Sequence, residues 1–377
     1  MGNVDSRSKF ESGYFMIATD KPFYEPGEVI TGKVYIRCSR PIDAKHIELK
    51  IKGKEKGSWM DTVHKTVRNP DGSSTVETEK VKRKHRREIM DSKAPCFVFN
   101  SNLVPGDYVV PFGFQLPENV PSTMFFKDTH DHRKPKAQVK YSIKGSLETR
   151  SDKNEMSYKQ ILIVREKPPH LQEDITKASE NKITTWCCVD QGVSKIQVQF
   201  DKNTFMPHEK CKSEIKLDNS RCNIALNTVR FTMEQEITIK CGTHIYRSVR
   251  TIKEKHDNGV PARSTQVGEK ELEIDLSEIK YPVPQHRKKQ GQLKAVSIED
   301  AFQMSQAQPA CHGHIVKNEY YLAVRTVFDG CTCCADLPMA RIPLVIIPVV
   351  NPQLVGFQVP KDYNPQVHEY CQVTLRH

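Results

Sequence analysis

The chain has 377 residues, 37% of them hydrophobic, with a formal net charge of +11 and twelve cysteines. That length exceeds what a single hydrophobic core sustains, so two domains are expected, and no apolar run approaches the ~20 residues of a membrane-spanning helix. Lysine and arginine are scattered without an interleaved aromatic ladder, which argues against nucleic acid and leaves phosphorylated tails or anionic lipid as the partners the charge favours.

The start Met1-Gly-Asn-Val-Asp-Ser is polar and lacks the apolar core of a secretory signal, so the chain is expected in the cytosol with its cysteines reduced. Gly2 followed by Ser6 fits an N-myristoylation signal, in which a small glycine amine threads into an acyltransferase pocket, and Arg7 and Lys9 add basic support. One myristoyl chain anchors only marginally, so a second membrane contact is expected beside it. Val34-Tyr-Ile-Arg-Cys and His46-Ile-Glu-Leu-Lys-Ile-Lys alternate apolar and polar residues, the period of half-buried strands. Asn69-Pro-Asp-Gly-Ser-Ser74 is a turn. Shortly after it Lys82, Arg83, Lys84, Arg86 and Arg87 form a basic run, which fits a membrane or phosphate contact and equally fits a solvated hairpin tip.

Pro168-Pro169 and the polar residues after it, to Lys182, read as a linker, because proline disfavours continued strand pairing. Only 174–180 and 297–308 look helical. Ile196-Gln-Val-Gln-Phe and Glu236-Ile-Thr-Ile-Lys return to the strand period, and His286-Arg-Lys-Lys289 lies in a Gln-rich insertion expected to be a flexible loop. Cys187-Cys188 and Cys331-Thr-Cys333-Cys334 precede the expected opening and closing strands of the second half. They fit a structural zinc site made by two adjacent segments, buried free thiols, or a redox-sensitive pair. Cys311-His-Gly-His314 contains ligand-like residues, but nothing near it signals an oriented base or an oxyanion site. No Walker loop, GxGxxG after a strand, GxSxG or HExxH is present, and no enzymatic activity is expected.

The two halves echo one another at a spacing of about 180 residues. Asp20-Lys-Pro-Phe-Tyr-Glu-Pro-Gly-Glu is answered by Asp201-Lys-Asn-Thr-Phe-Met-Pro-His-Glu, and Val139-Lys-Tyr-Ser-Ile-Lys-Gly-Ser-Leu by Asn318-Glu-Tyr-Tyr-Leu-Ala-Val-Arg-Thr-Val. The expected class is all-β: two tandem immunoglobulin-like sandwiches at 9–167 and 183–352, a linker at 168–182 and a short C-terminal tail at 353–377.

Four segments carry a resemblance to the arrestin superfamily, and within it to the α-arrestins, the arrestin-domain-containing proteins. They are Tyr24-Glu-Pro-Gly-Glu-Val-Ile-Thr-Gly-Lys-Val, Val110-Pro-Phe-Gly-Phe-Gln-Leu-Pro-Glu-Asn-Val-Pro-Ser, Trp186-Cys-Cys-Val-Asp-Gln-Gly-Val, and Asp336-Leu-Pro through Ile342-Pro-Leu-Val-Ile. The resemblance implies a non-enzymatic adaptor that binds cytosolic parts of membrane proteins and couples them to trafficking or signalling machinery. Such a protein would be cytoplasmic and peripheral on membranes. Strand addition at sheet edges is the expected docking mode, with nearby cations holding acidic or phosphorylated side chains. An arrestin-fold coat subunit like that of retromer, and a zinc- or thiol-regulated interaction protein, are the alternatives.

Leu162-Ile-Val-Arg165-Glu resembles a strand that elsewhere in the superfamily ends in an Arg of a buried interdomain ion pair, with Glu299 and Asp300 in the region of its partner, but the α-arrestins commonly lack this switch and Arg165 is expected at the surface. α-Arrestins recruit ubiquitin ligases through Pro-Pro-x-Tyr motifs. Here Pro168-Pro169 is followed by His170-Leu171, so WW-domain ligase recruitment is not expected.

Overall fold

The structure, a computed structural model, describes residues 9–68, 70–186, 189–281, 297–332, 335–347 and 362–374, and the backbone of 286–289 and 292–295. Its strands form two sandwiches in sequence. In the first, Gly13–Thr19 pairs with Val29–Cys38, which pairs with Gly106–Gln115. Strand Val29–Cys38 buries Ile30, Val34, Ile36 and Cys38, every second or fourth residue, as an amphipathic strand must. The facing sheet runs Ser74–Val98, Ala44–Arg68, Lys136–Thr149, with Met124–Lys127 and Asn154–Leu162 both paired to the last of these. Phe15, Val34, Phe112, Phe114, Leu49 and Ile143 fill the space between the layers.

In the second sandwich one sheet is Glu173–Thr185, Val189–Lys202, Lys210–Cys222, Lys270–Asp275. The other is Thr204–Phe205, Met339–Ile346, Val316–Phe328, Leu226–Cys241, His244–Val260. Phe200, Phe231, Leu322 and Ile342 are fully or almost fully buried between them. The duplication extends to topology. Tyr24 makes a parallel bridge to Val164, and Phe205, its counterpart in the second echo, pairs in parallel with Ile346.

Four expectations change. Residues 173–182, expected as linker and partly as helix, belong to strand Glu173–Thr185, registered against Val189–Lys202 from Glu173 opposite Lys202 to Thr185 opposite Val189. An edge strand needs few apolar residues, here Ile175 and Ile183, and pairing overrides the helical preference of Lys, Ala and Glu. The helix in 297–308 is only Ile298–Gln303, capped by Ser297, whose hydroxyl accepts from the Asp300 amide. His286–Lys289, expected as a loop, is a strand paired with Gln292–Ala295. Of the expected tail, residues 362–374 are packed onto the first sandwich. Among the described residues no helix is long and apolar enough to cross a membrane.

Candidate functional site

Strand Gly106–Gln115 is the last strand of its sheet before the C-terminal segment, and its outward carbonyls are occupied. Val109 and Gly113 accept from the amides of His368 and Val373 at 2.9 and 2.7 Å. Pro111, of the same parity, has no N–H to offer, and the C-terminal segment pairs in two pieces on either side of it, Gln366–Val367 and Cys371–Gln372. Side chains reinforce the pairing. The Tyr363 hydroxyl lies 2.5 and 3.2 Å from the carbonyls of Tyr108 and Ile36, and Val373 is buried. His368 stacks on Tyr108 with ring centres 5.9 Å apart and the planes 11° from parallel. Burial keeps the His368 ring below its ordinary pKa, which favours its neutral form there. Arg37 forks onto Asp107 at 2.6 and 2.9 Å and also holds Asp362 of the C-terminal segment at 2.9 Å. This edge therefore grips an extended chain by its backbone and takes an acidic side chain on an arginine. Sequence reasoning missed these residues; Pro111 inside a strand was the available signal of an edge.

The basic run lies in the body of strand Ser74–Val98 and not at the hairpin tip, and strand alternation divides it. Lys82, Lys84 and Arg86 stand opposite Met60, Ser58 and Lys56 on one face. Arg83 and Arg87 stand opposite Trp59 and Glu55, both buried, and Arg83 binds Asp61 at 3.1 Å. Three of the five cations are thus brought together and two are turned away.

The face of Glu55 and Trp59 meets the second sandwich. Glu55 is fully buried, and its Oε1 accepts from the amides of Ile315 and Val316 at 2.6 and 2.7 Å. Gly313 is required in that turn, because a Cβ there would lie 2.1 Å from the same oxygen. The Gln308 side chain clamps the Phe125 backbone, accepting at 3.0 Å and donating at 2.7 Å, while Phe125 packs edge-on against Phe302. Arg165, expected at the surface, is instead only 7% exposed: its guanidinium packs 4.3 Å from the Phe23 ring centre, and burial pushes its pKa down to about 10 against the attraction of Glu25. It lines a cavity of about 420 Å³ with Glu166, Pro309, His312 and Ile346.

Among the described residues, an ion pair also crosses the seam at the next residue. Glu166 meets His312 Nδ1 at 2.6 Å and accepts from the amides of His312 and Ser122 at 2.8 and 2.9 Å. Of the acidic residues expected near Arg165, Glu299 binds Lys140, and Asp300 accepts from the Ser297 hydroxyl in the helix cap. Cys311 is fully buried, and burial raises its thiol well above the ordinary range, which disfavours the thiolate beside His312.

Gly2, Cys187, Cys188, Cys333 and Cys334 lie outside the described residues. Cys331 is half-buried, and its carbonyl accepts from the Trp186 amide at 3.0 Å, so Trp186 lies against Cys331. Among the described residues no group of three or more potential metal ligands is gathered.

Residues 14–167 match the family described as Arrestin (or S-antigen), N-terminal domain, and residues 190–351 match Arrestin (or S-antigen), C-terminal domain. The chain is 24% identical over 298 residues to Arrestin domain-containing protein 17 of Caenorhabditis elegans, an alignment covering 76% of this chain and 65% of the relative. It is 22% identical over 261 residues to Arrestin domain-containing protein A of Dictyostelium discoideum, covering 68% and 43%. It is also 22% identical over 228 residues to human Arrestin domain-containing protein 5, covering 59% and 61%. The chain thus spans less than two thirds of the length of these relatives.

Proposed function

The chain belongs to the arrestin family, with both family domains in order, and on that premise we propose that it is a non-enzymatic adaptor for extended acidic segments of membrane proteins. The observation that carries this reading is the Gly106–Gln115 edge, which holds residues 366–372 as an added strand while Arg37 holds Asp362. A cytosolic tail that is extended and acidic, or phosphorylated, offers the same chemistry: free backbone groups for the edge and negative charge for the arginine. Fluorescence anisotropy with labelled acidic tail peptides tests it. A chain lacking residues 362–374 is expected to bind them more tightly than the full chain, and Arg37→Glu is expected to weaken that gain. Equal affinity in all three forms would remove the edge from the mechanism.

Coupling to membranes and trafficking machinery belongs to the same reading. Myristoylation at Gly2 would supply one weak anchor, and Lys82, Lys84 and Arg86, adjacent on one strand face, would supply the second at about 1 kcal/mol per cation near an anionic leaflet. Gly2→Ala fused to a fluorophore is expected to shift from membrane to cytosol; an unchanged distribution rejects the lipid. A structural zinc held by four thiolates drawn from Cys187, Cys188, Cys331, Cys333 and Cys334 fits the Trp186–Cys331 bond, which brings Trp186 against Cys331. Metal analysis of purified protein is expected to find one zinc per chain, and less than about half that amount rejects the site.

A further inference from the structure

We infer that the outer face of strands Ala44–Arg68 and Lys136–Thr149 carries a binding site for a compact anion bearing several phosphate groups, in a cleft closed by helix Ile298–Gln303. These are interior strands, flanked by Ser74–Val98 on one side and by Met124–Lys127 and Asn154–Leu162 on the other. Their backbone groups are used within the sheet, so a ligand can be held here only by side chains. An extended peptide is captured through a free edge, whereas purely ionic recognition suits a small, densely charged ligand.

Lys52, Lys54 and Lys56 project from alternate positions of one strand, about 7 Å apart. Lys140 stands directly opposite Lys54, with Ser142 opposite Lys52 and Gln138 opposite Lys56 as neutral hydrogen-bonding groups. Lys159 from the neighbouring strand and Glu299 from the helix complete a cavity of about 310 Å³. Five lysines therefore face a single lining carboxylate.

The charges are incompletely matched. Lys52 is paired with Asp91 at 2.6 Å, Lys54 with Glu88 at 3.5 Å and Lys140 with Glu299. Among the described residues, neither Lys56 nor Lys159 has a carboxylate at ion-pair distance. Burial first, and the neighbouring cations after it, hold both below the ordinary lysine pKa: Arg86, Lys54, Lys84 and Lys140 act on Lys56, and Lys140, Lys54 and Lys52 on Lys159, with Glu299 opposing. A multivalent anion between them would supply the missing counter-charge and compete with Glu299 for Lys140. The site is separate from the Gly106–Gln115 edge and does not depend on the adaptor reading.

Calorimetric titration of the full chain with inorganic tripolyphosphate, at about 0.1 M salt where surface charge is already screened, tests the site. Wild type is expected to bind, and Lys56→Ala/Lys159→Ala to bind at least about tenfold more weakly. Lys212→Ala/Lys216→Ala, which removes equal charge from the second sandwich, is expected to match wild type, and Glu299→Gln to bind more tightly. A second arm uses phosphatidylcholine vesicles with and without a phosphoinositide. Capture by the phosphoinositide vesicles that is lost in the Lys56/Lys159 variant, without tripolyphosphate binding, assigns the phosphates to a lipid headgroup; tripolyphosphate binding assigns them to a free anion. No binding in either arm, or equal binding by the cleft variant and the control variant, overturns the site.

Discussion

Glu55 has the strongest individual claim on the seam between the sandwiches. It is a buried carboxylate whose two donors, the Ile315 and Val316 amides, come from the other sandwich. Glu55→Ala would strand both amides in a water-poor space at about 1–3 kcal/mol each, so a loss of about 2–6 kcal/mol in denaturant unfolding is expected. Glu55→Gln keeps an acceptor and should lose clearly less. His312 adds a pH dependence. Its hydrogen bond to Glu166 raises its pKa above the ordinary value, Glu319 adds to the rise at 3.5 Å, and Lys317 opposes it. A group whose folded pKa is raised stabilises fully below its unfolded pKa, about 6.5, and that contribution is lost as pH rises through the folded value. Wild type should therefore lose stability relative to His312→Asn between pH 6 and 8; parallel curves would remove His312 from the clamp. The ring is half exposed, so the effect is set by direction and not by a large energy.

At the scale of elements, the C-terminal segment is held by two short pieces of ladder and by buried side chains at its ends. Val373→Asp places a charge where an apolar side chain is buried, at a cost of about 1–3 kcal/mol to docking. Hydrogen exchange should show the amides of His368 and Val373 losing protection while strand Gly13–Thr19 keeps its own. Loss of protection throughout the first sandwich would mean the segment is part of the core and not a docked element. The basic run makes a related point about what could be read in advance. Alternation alone separates Lys82, Lys84 and Arg86 from Arg83 and Arg87 once the run is known to be strand. Neither reading of the run, as a membrane or phosphate contact or as a hairpin tip, showed that division, because a charged stretch near a turn signal carries no apolar period of its own.

Across the whole molecule, the apolar core of the first sandwich continues into the second. Ile237, Ile239, Tyr246, Ile315 and Val316 pack with Trp59 and Tyr141 in one cluster. The Trp59 and Tyr246 rings lie 6.0 Å apart, and the Tyr246 hydroxyl donates to Asp131 at 2.7 Å. Such continuity predicts a single cooperative thermal transition for both sandwiches. Gly57 allows the close approach, since a Cβ there would sit 2.2 Å from the Ile239 Cγ2. Gly57→Val should therefore split the calorimetric transition into two, with each sandwich still folded; one unchanged transition would show that the seam is not what couples them.

The amino-acid sequence by itself determined the all-β class and the duplicated sandwiches, because alternation and turn chemistry are local and repeat in each half. It also displayed the Asp20 and Asp201 echoes, whose Tyr24 and Phe205 occupy matching parallel crossings. Only the tertiary structure decided the rest. Two-residue strands such as Gln366–Val367 are too short to carry a period, and Glu55 reads as an ordinary polar position until the amides 260 residues away are brought to it. The lysines of the cleft look like solvated strand residues in sequence, and they become a concentrated charge only where three separate strands and a helix from the other domain converge on them.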